Sequence, residues 1–473
     1  MASSVQRVFG RARLAFDRVV VDLTALAIRR LGLGGGNSLP GRLLLRCHPS
    51  VLSQLAPCVD AVVVSATNGK TTTASLIRSV LGGENVISNT DGSNMDFGVA
   101  LALLRGCVAA FGRSLSTNAK RAALEVDEAY LGRVVSELAP KVVAVMNLSR
   151  DQLDRNSEVR HLAQRWDEAL RFRRSMTVVA NADDPLVVYA VRHAESVVFV
   201  AGGHSWRLDS SACPNCEAVI TYTEGGSWSC VCGLSRPEVR WEIDQHHVVK
   251  VAGRALGTLR LRLPGEFNAR NALFACAVSE IFDGLFDSAT SDTERGSALL
   301  RTLEAVEGSG GRFVSFPSPF GAVHESSLVN SGASPLSTGS EIVLMLAKNP
   351  AGWMEILKVI QQEPLDVPVV LGLNAEIADG RDTSWIWDVA MEALTGRTGS
   401  VTVTGRRVYD LEVRLRVAGV EVLVEPDQVV ALQHATQHYQ RVLYLGNYTA
   451  FGEVYRFLSR RSMESQSVAA RRN

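Results

Sequence analysis

Short apolar runs rich in β-branched residues alternate along the chain with longer segments of helical periodicity. Runs of this kind occupy residues 62–64, 142–146, 176–180 and 197–201, and each is followed by polar or glycine-rich residues. Short continuous apolar runs are typical of buried parallel strands, and strands separated by helices predict a doubly wound α/β domain. Ligands of such domains bind at the carboxyl ends of the strands.

A second α/β pattern begins at about residue 341. Its predicted strands cover residues 342–346, 369–373, 400–404 and 442–445. The segment before it, residues 317–340, is rich in Ser, Gly and Pro, which is typical of a linker or a mobile loop. We therefore predict five parts, namely a helix with a lead-in (1–55), a central domain (56–315), a linker (316–340), a C-terminal domain (341–461) and a tail (462–473).

Residues 5–31 have the pattern of an amphipathic helix. Apolar residues recur there at helical spacing, and arginines lie between them. The apolar positions are Val8, Ala12, Ala15, Val19, Leu23 and Leu26. One interpretation is a helix that packs on the body of the protein. The alternative is contact with a membrane surface that holds a lipid substrate.

Composition indicates a soluble globular protein of 473 residues, with 46% apolar and 21% charged residues. Basic and acidic residues balance at 49 each, so no global field favours nucleic acid as a partner. No window reaches the ~20 uninterrupted apolar residues of a transmembrane helix. Asp17 and Asp22 interrupt the N-terminal apolar positions, and no signal-peptide cleavage site follows them. A cytoplasmic location is expected.

The stretch AVVVSATNGKTTTA, residues 61–74, has the order strand, tight turn and helix start. Its Gly69-Lys70-Thr71 core matches the end of a P-loop, in which backbone N–H groups surround phosphates. The lysine then reaches the outer phosphates and the hydroxyl binds magnesium. Val64 occupies the position of the first glycine in the general pattern. The alternative is a plain strand-to-helix turn with a surface lysine.

Three polar stretches follow the P-loop in chain order. Glu125 lies in ALEVDEA and is a candidate ligand for nucleotide-bound magnesium, Asn147 is followed by DQLD at 151–154, and NADDP covers 181–185. Each stretch alone is typical of turns and helix caps. Their order after the P-loop is what indicates a nucleotide site.

The eight cysteines are unevenly distributed. Four are scattered among apolar residues and are predicted to be buried, inert thiols, namely Cys47, Cys58, Cys107 and Cys276. The other four cluster within a short segment, at Cys213, Cys216, Cys230 and Cys232. In a reducing compartment two close pairs favour a closed structural zinc site over disulfides. The second pair is one residue shorter than the usual C-x-x-C, so a loop with free thiols is the alternative.

These motifs carry a resemblance to a known family. ATNGKTT resembles the shortened P-loop of Mur ligases and folylpolyglutamate synthetases, with Ala66 in place of their usual glycine. With LEVDE, NLSRDQLDR, NADDP and PGEFNARNA, the chain resembles a Mur ligase central domain. Further segments are similar to the MurT family, the Mur-ligase-like subunits of lipid II isoglutaminyl synthase. These are DQLDR, the four-cysteine insert at about 205–240, AKNPAGW from 347, NAEIADGRDTSWIWD from 374, TGRR from 404 and NYTA from 447.

The resemblance implies binding of ATP and Mg²⁺, with Zn²⁺ in the cysteine insert. The implied nucleotide-binding residues are Thr67, Asn68, Gly69, Lys70, Thr71, Thr72, Asn271 at the position that contacts the base, and Arg312. Lys70 and Glu125 would serve catalysis, and Thr71 and Glu125 would bind magnesium. Arg312 follows Gly311 as in the Mur G-R motif, although the acidic residue that usually follows is missing.

The implied activity belongs to peptidoglycan biosynthesis. ATP activates the α-carboxylate of D-glutamate in the stem peptide of lipid II at the inner membrane face, and ammonia converts the acyl phosphate to D-isoglutamine. The resemblance also implies a heterodimer with a GatD-like class I glutaminase, whose catalytic acid comes in trans from this chain. Two rival hypotheses remain, a Mur-type or folylpolyglutamate-type ligase that adds an amino acid and a nucleotide-binding scaffold with decayed catalysis.

Three aspartates in one short segment are candidates for the acid supplied in trans. Asp379 is the first choice, because it follows an apolar strand and Gly380 lets a partner's backbone approach. Asp382 is the runner-up and is also placed to cap a helix over 384–394, inside which Asp388 would lie. The alternative is that all three are caps and solvated charges.

Overall fold

The computed structural model describes residues 2–30, 38–89, 93–109, 120–150, 159–203, 206–284, 292–307, 313–320, 340–437 and 439–470. The chain divides into two compact units. The N-terminal unit comprises Met1–Ser149, Ser157–Arg262 and Glu266–Gly310, and the C-terminal unit comprises Arg150–Asn156, Leu263–Gly265 and Gly311–Asn473.

Helices and strands alternate through the N-terminal unit, as the apolar pattern predicts. In chain order they are α1 Ala2–Arg30, α2 Ser38–Cys47, α3 Val51–Leu55, β1 Val59–Ser65, α4 Lys70–Leu81, β2 Ile87–Ser88, α5 Asp96–Cys107, β3 Lys120–Glu125, α6 Leu131–Leu138, β4 Val142–Val145, α7 Val159–Leu170, β5 Thr177–Asn181, α8 Pro185–Ala190, β6 Val197–Ala201, β7 Thr221–Tyr222, β8 Trp228–Ser229, β9 Trp241–Ile243, β10 Val248–Val251, β11 Arg254–Thr258, α9 Glu266–Asp283 and α10 Asp292–Glu304.

One large sheet organises this unit. Its strand order is β11-β10-β9-β6-β5-β4-β1-β3-β2, and the pairs from β9 to β2 are parallel. In β1, Ala61 and Val63 face the core that α5 and α6 cover, whereas Val62 and Val64 are buried on the other face. Both faces are therefore covered, which confirms the predicted doubly wound, mostly parallel sheet. The antiparallel extension β9-β10-β11 was not predicted from the sequence.

The C-terminal unit has a smaller sheet. Its elements are β12 Phe313–Pro317, β13 Glu341–Leu346, α11 Pro350–Gln362, β14 Val369–Gly372, β15 Val401–Thr404, α12 Val408–Val417, β16 Leu423–Val424, α13 Gln428–Thr436, β17 Arg441–Gly446 and α14 Tyr448–Ala470. The strand order is β12-β13-β17-β14-β15-β16, and all pairs except β12 with β13 are parallel. The four predicted strands are all present within a residue or two of their predicted bounds.

The helix predicted over 384–394 is wrong. Two 3₁₀ turns, Ser384–Asp388 and Met391–Leu394, take its place, and Val389 between them is extended. The segment buries apolar side chains that would spread over more than one face of a single α-helix, namely Trp385, Ile386, Val389, Met391 and Leu394. Breaking the helix at Val389 lets all of them reach the core.

The scattered cysteines are only partly as predicted. Cys107 and Cys276 are buried, whereas Cys58 is half-buried and Cys47 is exposed. Cys47 ends α2 on its solvent side, which a local apolar pattern does not reveal. Within the described residues, no helix is both long enough and apolar enough to cross a bilayer.

Candidate nucleotide site and cysteine cluster

The turn between β1 and α4 places Gly69 at the N-cap of α4 in a left-handed backbone conformation. Gly69 has φ of 87°, and a Cβ there would lie 3.0 Å from Oδ1 of Asn271 on α9. The positive φ favours glycine, and the Asn271 side chain leaves little room for a Cβ. Ala66 is buried and is not among the residues with positive φ, so alanine costs no backbone strain at this position.

A second loop, which follows β4, holds the P-loop backbone in place. Asn68 N donates to Asn147 Oδ1 at 2.9 Å, and Asn147 Nδ2 donates back to Asn68 O at 2.9 Å. Thr67 N donates to Asn147 O at 3.0 Å, and Ser149 N donates to Thr67 Oγ1 at 3.0 Å. Because β1 and β4 are neighbours in the sheet, their exit loops meet and fix each other.

Lys70, the first residue of α4, is not a surface lysine. Its side chain is buried, with the residue only 2% exposed, and Nζ donates to Ala66 O and to Glu128 Oε2, the latter at 2.9 Å. Glu128 is buried as well, and Trp166 Nε1 fixes its backbone through a bond of 3.1 Å to Glu128 O. Sequence reasoning gave Glu128 no role, although it belongs to the LEVDE motif.

Thr71 and Glu125 lie side by side. Thr71 Oγ1 donates to Glu125 Oε2 at 2.7 Å, and Glu125 is buried at the carboxyl end of β3. The Asn89 side chain fixes the Glu125 backbone, since it accepts from Glu125 N and donates to Glu125 O, both at 2.8 Å. A hydroxyl and a carboxylate oxygen in contact fit the ligands that magnesium takes beside a nucleotide.

The remaining predicted nucleotide residues have mixed outcomes. Thr72 lies in the first turn of α4, partly exposed, and Asn271 Nδ2 donates to Asn268 Oδ1 at 3.3 Å beside the P-loop. Arg312 and the DQLD stretch at 151–154 lie outside the described residues.

The four clustered cysteines converge between β6 and β9. Their Sγ atoms all lie within 4.8 Å of one another. The Sγ atoms of Cys213 and Cys232 are 3.6 Å apart, and those of Cys216 and Cys230 are 3.4 Å apart. Zinc–sulfur bonds of about 2.3 Å in tetrahedral geometry put sulfurs about 3.8 Å apart. The donor set and its spacing therefore fit zinc, and the shortened second pair does not prevent convergence.

The thiols of this cluster differ in acidity. The side-chain hydrogen bond from Asn215, followed by the Leu234 backbone, lowers the pKa of Cys232 to about 6. Burial raises the pKa of Cys213 to about 12. These hydrogen bonds favour the thiolate form of Cys232, which is the form that binds metal.

The cysteine-bearing segment, residues 206–240, is attached to the NADDP turn, and we call it the ribbon. Trp228 Nε1 donates to Ala182 O at 2.9 Å, and Arg236 Nε contacts Asp183 Oδ1 at 2.7 Å. The next residue, Asp184, accepts from Leu148 N at 3.0 Å and caps α8. Since Asp184 follows Asp183 and Leu148 follows Asn147, these hydrogen bonds and the chain between them connect the ribbon to the P-loop.

Three MurT-like segments of the C-terminal unit meet at the carboxyl ends of adjacent strands β17, β14 and β15. Asn374 N donates to Asn447 Oδ1 at 3.1 Å, and Asn447 Nδ2 donates to Asn374 O at 2.7 Å. Arg406 N donates to Asn374 Oδ1 at 2.9 Å. The sequence motifs NAEIADG, TGRR and NYTA thus form one polar edge.

The candidate aspartates of this edge have different surroundings. Asp379 is buried, and its carboxylate accepts from Thr449 N at 2.8 Å, from Glu376 N at 3.1 Å and from the Thr449 hydroxyl. Asp382 is partly exposed, and its Oδ1 accepts from Ser384 N at 2.8 Å. Among the described residues, no hydrogen bond engages Asp382 Oδ2. Asp388, at the end of the first 3₁₀ turn, is partly exposed.

Comparisons with known proteins agree with this architecture. Residues 64–279 match the Mur ligase middle domain. The fold is similar to that of MurF from Acinetobacter baumannii, with a TM-score of 0.55 and 15% identity over 86% of this chain and 77% of that one. The fold is therefore that of the Mur ligases, a family of ATP- and magnesium-dependent enzymes.

The C-terminal unit specifies the family further, since residues 346–451 match the MurT ligase C-terminal model. The chain is 30% identical over 459 residues to the lipid II isoglutaminyl synthase (glutamine-hydrolyzing) subunit MurT of Staphylococcus aureus, covering 91% of this chain and 95% of the relative. The corresponding Streptococcus pneumoniae subunit is 27% identical over 461 residues, with coverages of 91% and 94%. The chain belongs to the MurT family.

Proposed function

We propose that this protein is the ATP-using subunit of a lipid II isoglutaminyl synthase in peptidoglycan biosynthesis. The observation that carries the proposal is similarity to curated MurT subunits over 91% of the chain, C-terminal domain included. The match to the MurT C-terminal model favours this activity over addition of an amino acid by an ordinary Mur ligase. The contacts of Lys70 with Glu128 and of Thr71 with Glu125, which place a lysine, a hydroxyl and a carboxylate together at the P-loop, argue against decayed catalysis.

The chemistry has two steps. The α-carboxylate of D-glutamate is a poor electrophile, so an oxygen of it first takes the γ-phosphoryl group of ATP, which leaves an acyl phosphate and ADP. The nitrogen of ammonia then attacks the acyl carbon, phosphate departs with the bonding electrons, and the nitrogen loses a proton to give D-isoglutamine. The site must bind ATP, neutralise the transferring phosphoryl and exclude water.

The residues of the N-terminal unit divide these tasks. Lys70 exchanges its contact with Glu128 for the outer phosphates of ATP. Thr71 and Glu125 would hold Mg²⁺, which neutralises phosphate charge when bound. The backbone of Thr67, Asn68 and Gly69 and the start of α4 with Thr72 surround the phosphates. Asn271 and Arg312 are proposed to contact the nucleotide on the evidence of their motifs alone.

Ammonia has to arrive unprotonated, so a glutaminase partner is part of the proposal. A GatD-like class I subunit would supply a cysteine nucleophile and a histidine, and this chain would supply the acid that orients the histidine. The sequence favours Asp379 as this acid, but the hydrogen bonds around the two carboxylates favour Asp382. The Asp379 carboxylate already accepts hydrogen bonds from three donors of its own chain, whereas no described residue donates to Oδ2 of Asp382. We therefore assign the acid to Asp382 and a structural role to Asp379.

The cellular location follows from the proposed substrate. Lipid II presents its stem peptide at the inner face of the membrane, so we place the enzyme in the cytoplasm at that surface.

The proposal is tested by ATP hydrolysis with the purified protein, lipid II and a GatD-like glutaminase. We expect ATP turnover that requires lipid II, and amide formation from glutamine only with the partner present. Free ammonia should replace glutamine and partner together. ATP turnover that instead requires a free amino acid would support ligase activity, and no lipid-dependent turnover would support a scaffold.

Zinc in the ribbon is a separate proposal, held by Cys213, Cys216, Cys230 and Cys232. We expect one zinc per chain by elemental analysis of protein purified without added metal. Cys230→Ser should lose it, and Cys47→Ser, which changes an exposed cysteine outside the cluster, should retain it. Because four protein ligands close the site, chelation should lower thermal stability before it lowers turnover. Zinc near zero with four freely titratable thiols would indicate a metal-free loop.

The connection between the ribbon and the P-loop predicts an effect at a distance. Arg236→Gln removes the ion pair with Asp183, and we expect it to weaken ATP binding roughly tenfold, because charge-assisted bonds contribute about 1.5–3 kcal/mol. The matched control is Glu217→Gln, which removes the exposed ribbon contact with Arg160 and leaves the NADDP turn intact. Calorimetry gives both dissociation constants, with zinc content measured in parallel. Equal ATP affinity of the two variants would contradict the connection.

A further inference from the structure

Charge is concentrated at the start of this electrically neutral chain. The first 50 residues contain eight arginines and two aspartates and therefore carry a net charge of +6, while the total for the whole chain is zero. The remaining residues consequently carry −6. Such a local excess of arginine is typical of segments that meet an anionic surface.

The helix α1 in this region is apolar on two opposite faces. Its inner face packs against the body of the N-terminal unit through buried side chains that include Leu14 and Val21. Its outer face leaves Phe16 63%, Leu23 53% and Leu26 42% exposed. These residues recur at intervals of seven and three along the helix, so they share one side of it. A helix that only packed on the body would have polar residues there.

The neighbouring helix α2 adds to this surface chemistry. Leu39 and Leu43 are exposed on it, and Arg42 and Arg46 are exposed beside them. We call the exposed apolar residues of the two helices the α1–α2 outer face, namely Phe16, Leu23, Leu26, Leu39 and Leu43.

Both acidic residues of this region are withdrawn from solvent. Asp17 is buried, and its Oδ2 lies 2.5 Å from His48 Nδ1 while its Oδ1 lies 3.3 Å from Arg13 Nε. Asp22 pairs with Arg18 at 2.8 Å. Residues 10–30 and 38–50 therefore expose arginines and large apolar side chains without an exposed carboxylate to repel anions.

We propose that the α1–α2 outer face docks on the surface of an anionic phospholipid bilayer. Apolar side chains would enter the boundary between headgroups and acyl chains while the arginines meet lipid phosphates, as in helices that lie in the membrane plane. Charge complementarity favours this occupant, because a segment with a net charge of +6 and no exposed carboxylate in its described part matches an anionic lipid surface. The inference rests on the proposed function, since docking would bring the site to its lipid-linked substrate.

The test is flotation of the full-length protein with vesicles that contain no lipid II. Binding should be strong to vesicles of phosphatidylglycerol and phosphatidylethanolamine, weak to pure phosphatidylcholine, and lower at high salt. The double variant Phe16→Ser, Leu23→Ser should reduce the partition coefficient at least about tenfold. Both side chains are exposed, so the fold should persist, which thermal melting verifies.

A matched control replaces two equally exposed apolar residues elsewhere in the same unit, Phe172→Ser with Leu208→Ser, which are 69% and 54% exposed. This control should bind vesicles like the unchanged protein. Equal binding of both double variants would overturn the proposal. So would a double variant at Phe16 and Leu23 that binds vesicles normally but loses self-association or glutaminase binding, since the face would then be a protein interface.

The docking proposal and the proposed amidation activity can be disproved independently of each other. Vesicles without lipid II measure docking in the absence of catalysis, and amidation of a lipid-free substrate analogue measures catalysis in the absence of docking. The Phe16, Leu23 double variant should retain the second activity in full.

Discussion

Lys70→Ala is expected to abolish ATP-dependent amidation, with a loss of ~10³-fold or more. The lysine ammonium would neutralise charge on the phosphoryl group during transfer, and removal of such a charge costs several kcal/mol of transition-state stabilisation. Single-turnover formation of ADP in the presence of lipid II measures the effect. Near-normal turnover would show that this loop is not the phosphate site.

The Lys70–Glu128 pair allows a stricter version of this experiment. Lys70→Ala alone leaves a buried carboxylate unpaired, which destabilises a protein by about 3–5 kcal/mol. The double variant Lys70→Ala, Glu128→Gln removes both charges, so its melting temperature should recover while activity stays absent. Recovery of activity together with stability would mean that Lys70 serves only the fold.

Asp382→Asn is expected to stop glutamine hydrolysis in the complex with the glutaminase, by ~10⁴-fold, as when the orienting acid of a triad becomes an amide. Amidation with free ammonia should continue, because the nucleotide site belongs to the other unit of the chain. Glutamate release from glutamine and amide formation from ammonium chloride measure the two activities.

Asp379 and Asp388 supply the comparisons for this test. Asp379→Asn disturbs the bonds that hold Thr449 at the start of α14, so we expect a lower melting temperature and a partial loss of both activities. Asp388→Asn should leave both activities close to normal. A selective loss of glutamine hydrolysis in Asp379→Asn, with Asp382→Asn active, would restore the assignment favoured by sequence. Survival in all three variants would contradict a shared triad.

The parts of the fold that sequence predicts are those with a strong local signal. Buried parallel strands such as β4 and β14 are continuous apolar runs, so their existence is encoded in a few adjacent residues. Strands β2, β7, β8 and β16 have only two residues each, and β9 to β11 alternate weakly. Their pairing depends on neighbours distant in the chain, which local patterns do not contain.

The residues of the candidate sites also differ in how far local sequence patterns predict them. Local motifs indicate Lys70, Thr71 and the four cysteines, although Val64 and the shortened second cysteine pair depart from the usual intervals. The partners Glu128 and Asn89 come from other loops, and only the order of strands brings them to the P-loop. The choice between Asp379 and Asp382 depends on which carboxylate is already engaged by its own chain, and the sequence does not record that.

The position of the ribbon in the large sheet has a consequence for folding. Strands β6 and β9 pair directly, with Val200 opposite Trp241, although the 39 residues from 202 to 240 separate them. Closing a long flexible segment costs entropy that grows with its length, so a metal that joins Cys213 to Cys232 would shorten the effective segment and speed the pairing. A nascent chain starved of zinc would leave the apolar β6 as an open edge strand, a template for aggregation. Metal supply during synthesis would then govern the yield of folded protein, even if the finished molecule kept its shape after the metal was removed.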